Sequence, residues 1–159
     1  MTFANRMPKA VTIGVARADN PSLAALIAES QDDLLRHFPA EEIFTLSIEE
    51  LAAPNCHLLL ARHGTDAVGC VALVDQLEYG EIKRLFVRET CRGMGIARGL
   101  IAEAELLAGE IGLRLMRLET GHPLTAAIGL YRSMGYADRG AFGAYPQLDS
   151  SLFLEKQLF

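Results

Sequence analysis

The chain has 159 residues, half of them apolar, enough to pack one core without a disulfide or metal staple. Its formal net charge of −5 excludes an extended nucleic-acid footprint, which needs clustered Lys and Arg to displace counterions from phosphates. No run approaches about eighteen consecutive apolar residues and the first residues carry no apolar leader core, so no membrane partner is expected and the expected location is the cytoplasm. Cys56, Cys70 and Cys91 are widely spaced and lack paired C-x-x-C spacing, so they are expected as reduced thiols, with no metal site.

Residues 1–9 read as a loose tail and 10–159 as one domain. "AVTIGVARA" alternates Val11, Ile13 and Val15 with smaller or polar residues, the period of a strand with one buried face. Asp19 or Asn20 then caps a helix with Pro21 at its first position, and Leu23, Leu26, Ile27, Leu34 and Phe38 carry its apolar face to about Phe38. Ser47 and Glu50 have capping-box spacing and open a short helix that stops near Pro54. "CHLLLAR", "DAVGCVALVD" and "GEIKRLFV" follow as three strands joined by short polar turns, an antiparallel meander. Ile96, Leu100, Ala104, Leu107 and Ile111 predict a helix ending near Gly112, "LRLMRLET" a strand, "HPLTAAIGLYRSMGY" a helix ending before Gly135, and "SSLFLEKQL" a closing strand.

Between the third meander strand and the next helix lies "RETCRGMGIARG". Amides of residues 92–97 fall in a bend and a first helical turn, where N–H groups lack intrahelical partners and the macrodipole favours an anion. Gly93 and Gly95 allow close approach of a phosphate, and Arg92 and Arg98 add charge. The Walker pattern G-x-x-x-x-G-K-[ST] is absent, and the dinucleotide pattern G-x-G-x-x-G fails because Arg98 stands at its third glycine. A nucleotide-binding oxidoreductase domain is therefore a remote alternative.

"GEIKRLFVRETCRGMGIARGLI" resembles motif A of the GNAT superfamily of acetyl-CoA-dependent N-acetyltransferases, and "AAIGLYRSMGY" resembles its motif B. The resemblance covers residues 56–137 in the family's order and implies a single α+β domain with a mixed, mostly antiparallel sheet flanked by helices. It implies that Arg92, Gly93, Met94, Gly95, Ile96 and Ala97 grip the pyrophosphate of acetyl-CoA, while the backbone of Leu85, Phe86 and Val87 pairs with the thioester and pantetheine. Leu124 stands where many members have an asparagine that contacts the cofactor.

The activity implied is acetyl transfer from acetyl-CoA to a primary amine of a small molecule or amino acid, by direct attack in a ternary complex. A lysine-like amine, pKa about 10.4, is roughly one part in a thousand neutral near pH 7.4, so a base has about 4 kcal/mol to supply. The resemblance implies Glu81 as that base and Tyr131 as the acid that protonates the leaving thiolate. On the acceptor side, Glu119 and His122 follow the next strand, Arg84 suits a carboxylated substrate such as an amino acid, and Tyr145 bounds the mouth. An acyl-CoA-binding module without turnover is the alternative of a different class, and the oligomeric state, a homodimer included, stays open.

Overall fold

A computed structural model describes residues 8–159, so most of the expected tail, residues 1–7, lies outside the described residues. The chain forms β1 (Val11–Ala16), α1 (Pro21–Leu35), α2 (Ile48–Leu51), β2 (Cys56–His63), β3 (Asp66–Asp75), β4 (Gly80–Val87), α3 (Ile96–Glu110), β5 (Leu115–Gly121), α4 (Thr125–Ser133), β6 (Ala137–Arg139) and β7 (Ser151–Gln157). One seven-stranded sheet has the order β1-β2-β3-β4-β5-β7-β6. Every neighbouring pair is antiparallel except β4 and β5, which are joined by the α3 crossover and run parallel.

The central strands are apolar on both faces, and period-two alternation sends their side chains into two separate cores. Leu58, Leu60, Cys70 and Ala72 pack with Leu23, Leu26 and Ile27 of α1 and Leu51 of α2. Leu59, Val71, Leu73, Ile82, Met116 and Leu118 pack on the other face with Leu100 and Ile101 of α3 and Tyr131 of α4. Each fully buried leucine contributes about 1.5–3 kcal/mol relative to exposure.

Caps form where expected. The Asn20 side chain accepts from the Ser22 amide at 2.9 Å, and Ser47 and Glu50 make both bonds of the capping box at 3.2 Å. The first helix ends at Leu35 rather than Phe38, because Pro39 disfavours helical backbone in the residue before it and the chain tightens into i→i+3 bonds at Arg36 and His37. In α3, Ile101 and Ala108 join the buried stripe, while Ile111 lies beyond the helix end and is 38% exposed, the drift expected of a 3.6-residue turn. The short β6, which pairs with the outer edge of β7, had no sequence signal of its own.

Two features of β4 open the sheet. Cys70 pairs with Phe86 and Ala72 with Lys83, so three steps on β4 oppose two on β3, and Arg84 within this bulge has φ +57°. On its other edge, β4 pairs with β5 only through Gly80–Met116 and Glu81–Arg117, after which the strands diverge. At the joined end a Cβ on Gly80 would fall 2.8 Å from Leu73 Cδ1 and 2.9 Å from Met116 Sδ, so any larger residue would push those side-chain ends aside. At the open end the Phe38 ring fills the place of a Gly121 Cβ, 2.2 Å from its Cζ.

Candidate active site

The divergence of β4 and β5 leaves a cavity of about 850 Å³, within the range of small-molecule sites. Its walls are β4 from Ile82 to Val87, the end of β5, one side of α4, the N-terminus of α3, and the end of α1 with the loop after it. Beyond Glu81 the inner edge of β4 has no strand partner, which leaves backbone groups on that side open to a ligand around Leu85, Phe86 and Val87, apart from the Val87 carbonyl, which accepts from Arg92.

One end of the cavity is the turn into α3. Gly93 and Gly95 have φ +79° and +77°, left-handed values that a side chain rarely adopts, and no side chain caps the helix. The amides of residues 93–98 have no hydrogen-bond partner among the described residues, and Gly93 faces open space. This is the donor array that a pyrophosphate needs, reinforced by the helix dipole. Gly93, Gly95, Ile96 and Ala97 line the cavity, whereas the Met94 side chain packs against the core. Arg92 is tied down, donating from Nε to the Val87 carbonyl at 3.0 Å and pairing with Asp33 at 3.3 Å. Arg98 donates to the Ser133 hydroxyl at 2.7 Å, fastening α3 to α4.

Glu119 of β5 and Tyr131 of α4 also line the cavity. Burial pushes the Glu119 carboxyl up to about 7, against the opposing pull of the Ser151 hydroxyl and the Lys83 ammonium; the Glu81 charge adds to the rise. Tyr131 is 6% exposed, and its hydroxyl makes no hydrogen bond within the described residues. Burial, helped by the Glu119 charge, raises its pKa well above that of a free phenol, so it keeps its proton.

Glu81 is placed differently from its neighbours. It is 3% exposed and does not line the cavity. Gln76 donates to its Oε1 at 3.3 Å, and the hydroxyl of Tyr145 donates to its Oε2. Lys83 in turn donates to Tyr145 and, at 3.0 Å, to the Phe44 carbonyl. Tyr145 itself lines the cavity. His122 is exposed and outside the lining, its amide bonded to the Ser150 carbonyl at 2.9 Å.

Arg84 lines the cavity and is 9% exposed. Its Nη1 donates to Gln31 Oε1 at 3.1 Å, and its buried Nε has no partner among the described residues. Sequence reasoning missed Lys83, Gln31, Phe38 and Phe44 as components of this region. For Lys83 the strand alternation was a signal, since it shares a parity with Glu81; the other three depend on where α1 and its loop pack.

The model of the acetyltransferase (GNAT) family matches residues 23–136. An IAA acetyltransferase of Azospirillum brasilense is 41% identical over 150 residues, covering 93% of this chain and 98% of that protein. A Klebsiella pneumoniae protein assigned as an acyl-CoA N-acyltransferase has a crystal structure 32% identical, with a TM-score of 0.78, over 94% of this chain and 98% of that one. A GNAT family acetyltransferase from Elizabethkingia anophelis, solved with acetyl-CoA bound, is 21% identical with a TM-score of 0.66, over 95% of this chain and all of that one, and it shares the fold.

Proposed function

The chain belongs to the GNAT acetyltransferase family, and from that premise we propose that it transfers acetyl from acetyl-CoA to a primary amine of a small molecule or amino acid, by direct attack within a ternary complex. The observation that supports this reading is one cavity lined by three features: unpartnered amides in the turn at residues 93–98, an open strand edge at Leu85–Val87, and the carboxyl of Glu119 with the phenol of Tyr131.

Acetyl-CoA supplies the acetyl group as a thioester. The amides of 93–98 hold its pyrophosphate, and the free edge of β4 aligns the pantetheine arm by strand-like hydrogen bonds. Glu119, rather than Glu81, serves as the base: it lines the cavity with a pKa of about 7, whereas Glu81 is held by Gln76 and Tyr145 behind the wall. Glu119 accepts a proton from the substrate ammonium, whose nitrogen lone pair then forms the C–N bond. As the C–S bond breaks, its electron pair stays on sulfur, and Tyr131 gives that sulfur its proton. The amide nitrogen sheds its second proton, so Tyr131 is restored and one proton is released in each cycle. The glutamate at 81 keeps Tyr145 and Lys83 in place through its hydrogen bond and its 3.6 Å ion pair.

Thermal shift tests the cofactor half of this reading: acetyl-CoA raises Tm and NAD(H) or NADP(H) does not. Release of coenzyme thiol that depends on an added amine tests the transfer half, and binding without release would favour a sensor module instead.

A further inference from the structure

Two cations of the cavity wall have a carboxylate, Arg92 with Asp33 and Lys83 with Glu81, and the half-buried Arg98 donates to the Ser133 hydroxyl. Arg84 differs in being a buried cation without a counter-charge. It is more deeply buried than these three, yet no carboxylate among the described residues lies within ion-pair distance of it, and residues 1–7 contain no acidic side chain. Among the described residues its only side-chain hydrogen bond goes to a neutral amide, Gln31, which also accepts from Thr45 at 3.3 Å. Burial lowers its pKa, the mark of an uncompensated cation, although an arginine that starts above about 12 stays charged. A buried, unpaired charge is costly, and so is a left-handed backbone on a residue with a Cβ; both occur at Arg84, where the bulge re-aims the side chain.

We propose that Arg84 is the receptor for a carboxylate on the acetyl acceptor, and that the acceptor is an α-amino acid with an apolar side chain. This rests on the reading of the cavity as an amine acetylation site. The guanidinium is planar and offers a fork of donors that fits a carboxylate, and Gln31 fixes its orientation without neutralising it. The coenzyme is not the source of the anion. Arg84 lies three strand residues, roughly 10 Å, before Val87, while the amides that suit phosphate begin beyond that strand end. The elements that brace Arg84 are instead α1 and the loop carrying Thr45. From that same region Leu34, Phe38, Ile43 and Phe44 line the cavity and offer an apolar wall for a side chain.

The test uses the full chain saturated with coenzyme A and a matched pair of product-like probes, N-acetyl-phenylalanine and N-acetyl-phenylalaninamide, with affinity read by calorimetry. The carboxylate is expected to bind about 10- to 100-fold tighter than the carboxamide, the scale of a desolvated charge-assisted contact. Arg84→Gln and, independently, Gln31→Glu should each remove that difference, the second by giving Nη1 an internal carboxylate at the position of Gln31. Acetyl-CoA affinity, measured separately, reports that each variant is folded. Equal binding of the two probes by the wild type, no binding of either, or a preference that survives both variants would overturn the proposal. So would a loss of acetyl-CoA affinity in folded Arg84→Gln with the probe preference intact, which would assign the guanidinium to the coenzyme. A wild type that prefers the carboxylate but acetylates no amino acid would instead sink the transfer reading, and with it the amino acid as acceptor, and leave only Arg84 as a carboxylate receptor.

Discussion

The hydroxyl of Tyr145 donates to the carboxylate of Glu81, 64 residues earlier in the chain, and of the two only Tyr145 reaches the cavity. The two carboxylates nearby differ in their surroundings. Glu81 is enclosed by Gln76, Tyr145 and Lys83, whereas Glu119 lines the cavity.

Replacing the base should therefore discriminate between them. Glu119→Gln is expected to lower kcat/KM by about 100-fold or more and to remove a rising limb with an apparent pKa near 7 from the pH profile. Glu81→Gln should act mainly on Tm, with less than about a 10-fold change in rate and the limb retained. The reverse ranking in pH-rate profiles would return the base to Glu81.

Stability should carry the same signature. The folded-state pKa of Glu119 lies near 7, above its ordinary 4.5, so the folded protein holds this proton more tightly than the unfolded chain does. Its stabilising contribution is complete below about pH 4.5 and is lost as pH rises through 7, at 1.36 kcal/mol per unit and up to roughly 3 kcal/mol in all. Glu119→Gln cannot ionise, so its Tm relative to wild type should climb between pH 5 and pH 8. A flat difference across that range would contradict the buried carboxyl.

Tyr131→Phe removes a hydroxyl that has no hydrogen bond within the described residues, while the ring keeps its edge contact with Tyr136 at 5.7 Å. Stability should change by less than about 1 kcal/mol, because no buried partner is orphaned. Turnover should fall by about 10- to 100-fold with unchanged acetyl-CoA affinity. Wild-type kcat in this variant would remove the acid role.

Gly121 and Phe38 form a coupled pair. A methyl group at Gly121 would overlap the Phe38 ring, so Gly121→Ala is expected to cost about 1–3 kcal/mol, measured by denaturant unfolding. Adding Phe38→Leu should recover part of that loss, a coupling visible in a double-mutant cycle. Additive effects would show that the ring does not rest there.

Much of the fold was legible because its signals are local. The capping box at Ser47 and Glu50, the Asn20–Pro21 start, and the glycine turn into α3 each encode their geometry within a few residues. The site was legible only in part. A strand's alternation assumes an unbroken pleat, and the bulge at Arg84 breaks it, so the parity of Lys83 and Arg84 about the sheet is no guide beyond residue 83. Glu81 and Glu119 look alike in sequence, and they differ in that Tyr145 and Gln76 hydrogen-bond to Glu81 and, among the described residues, not to Glu119. Met94 sits inside a cofactor motif, yet its side chain turns to the core because the left-handed glycines on either side carry the bend.

The central claim is acetyl transfer to an amine, and the most direct measurement pairs coenzyme-thiol release with mass spectrometry of the acceptor across a panel of amino acids. The account predicts release that requires an amino acid, with one N-acetyl product formed for each thiol released. Acetyl-CoA binding with no acceptor-dependent release, or release without an N-acetyl product, would contradict it.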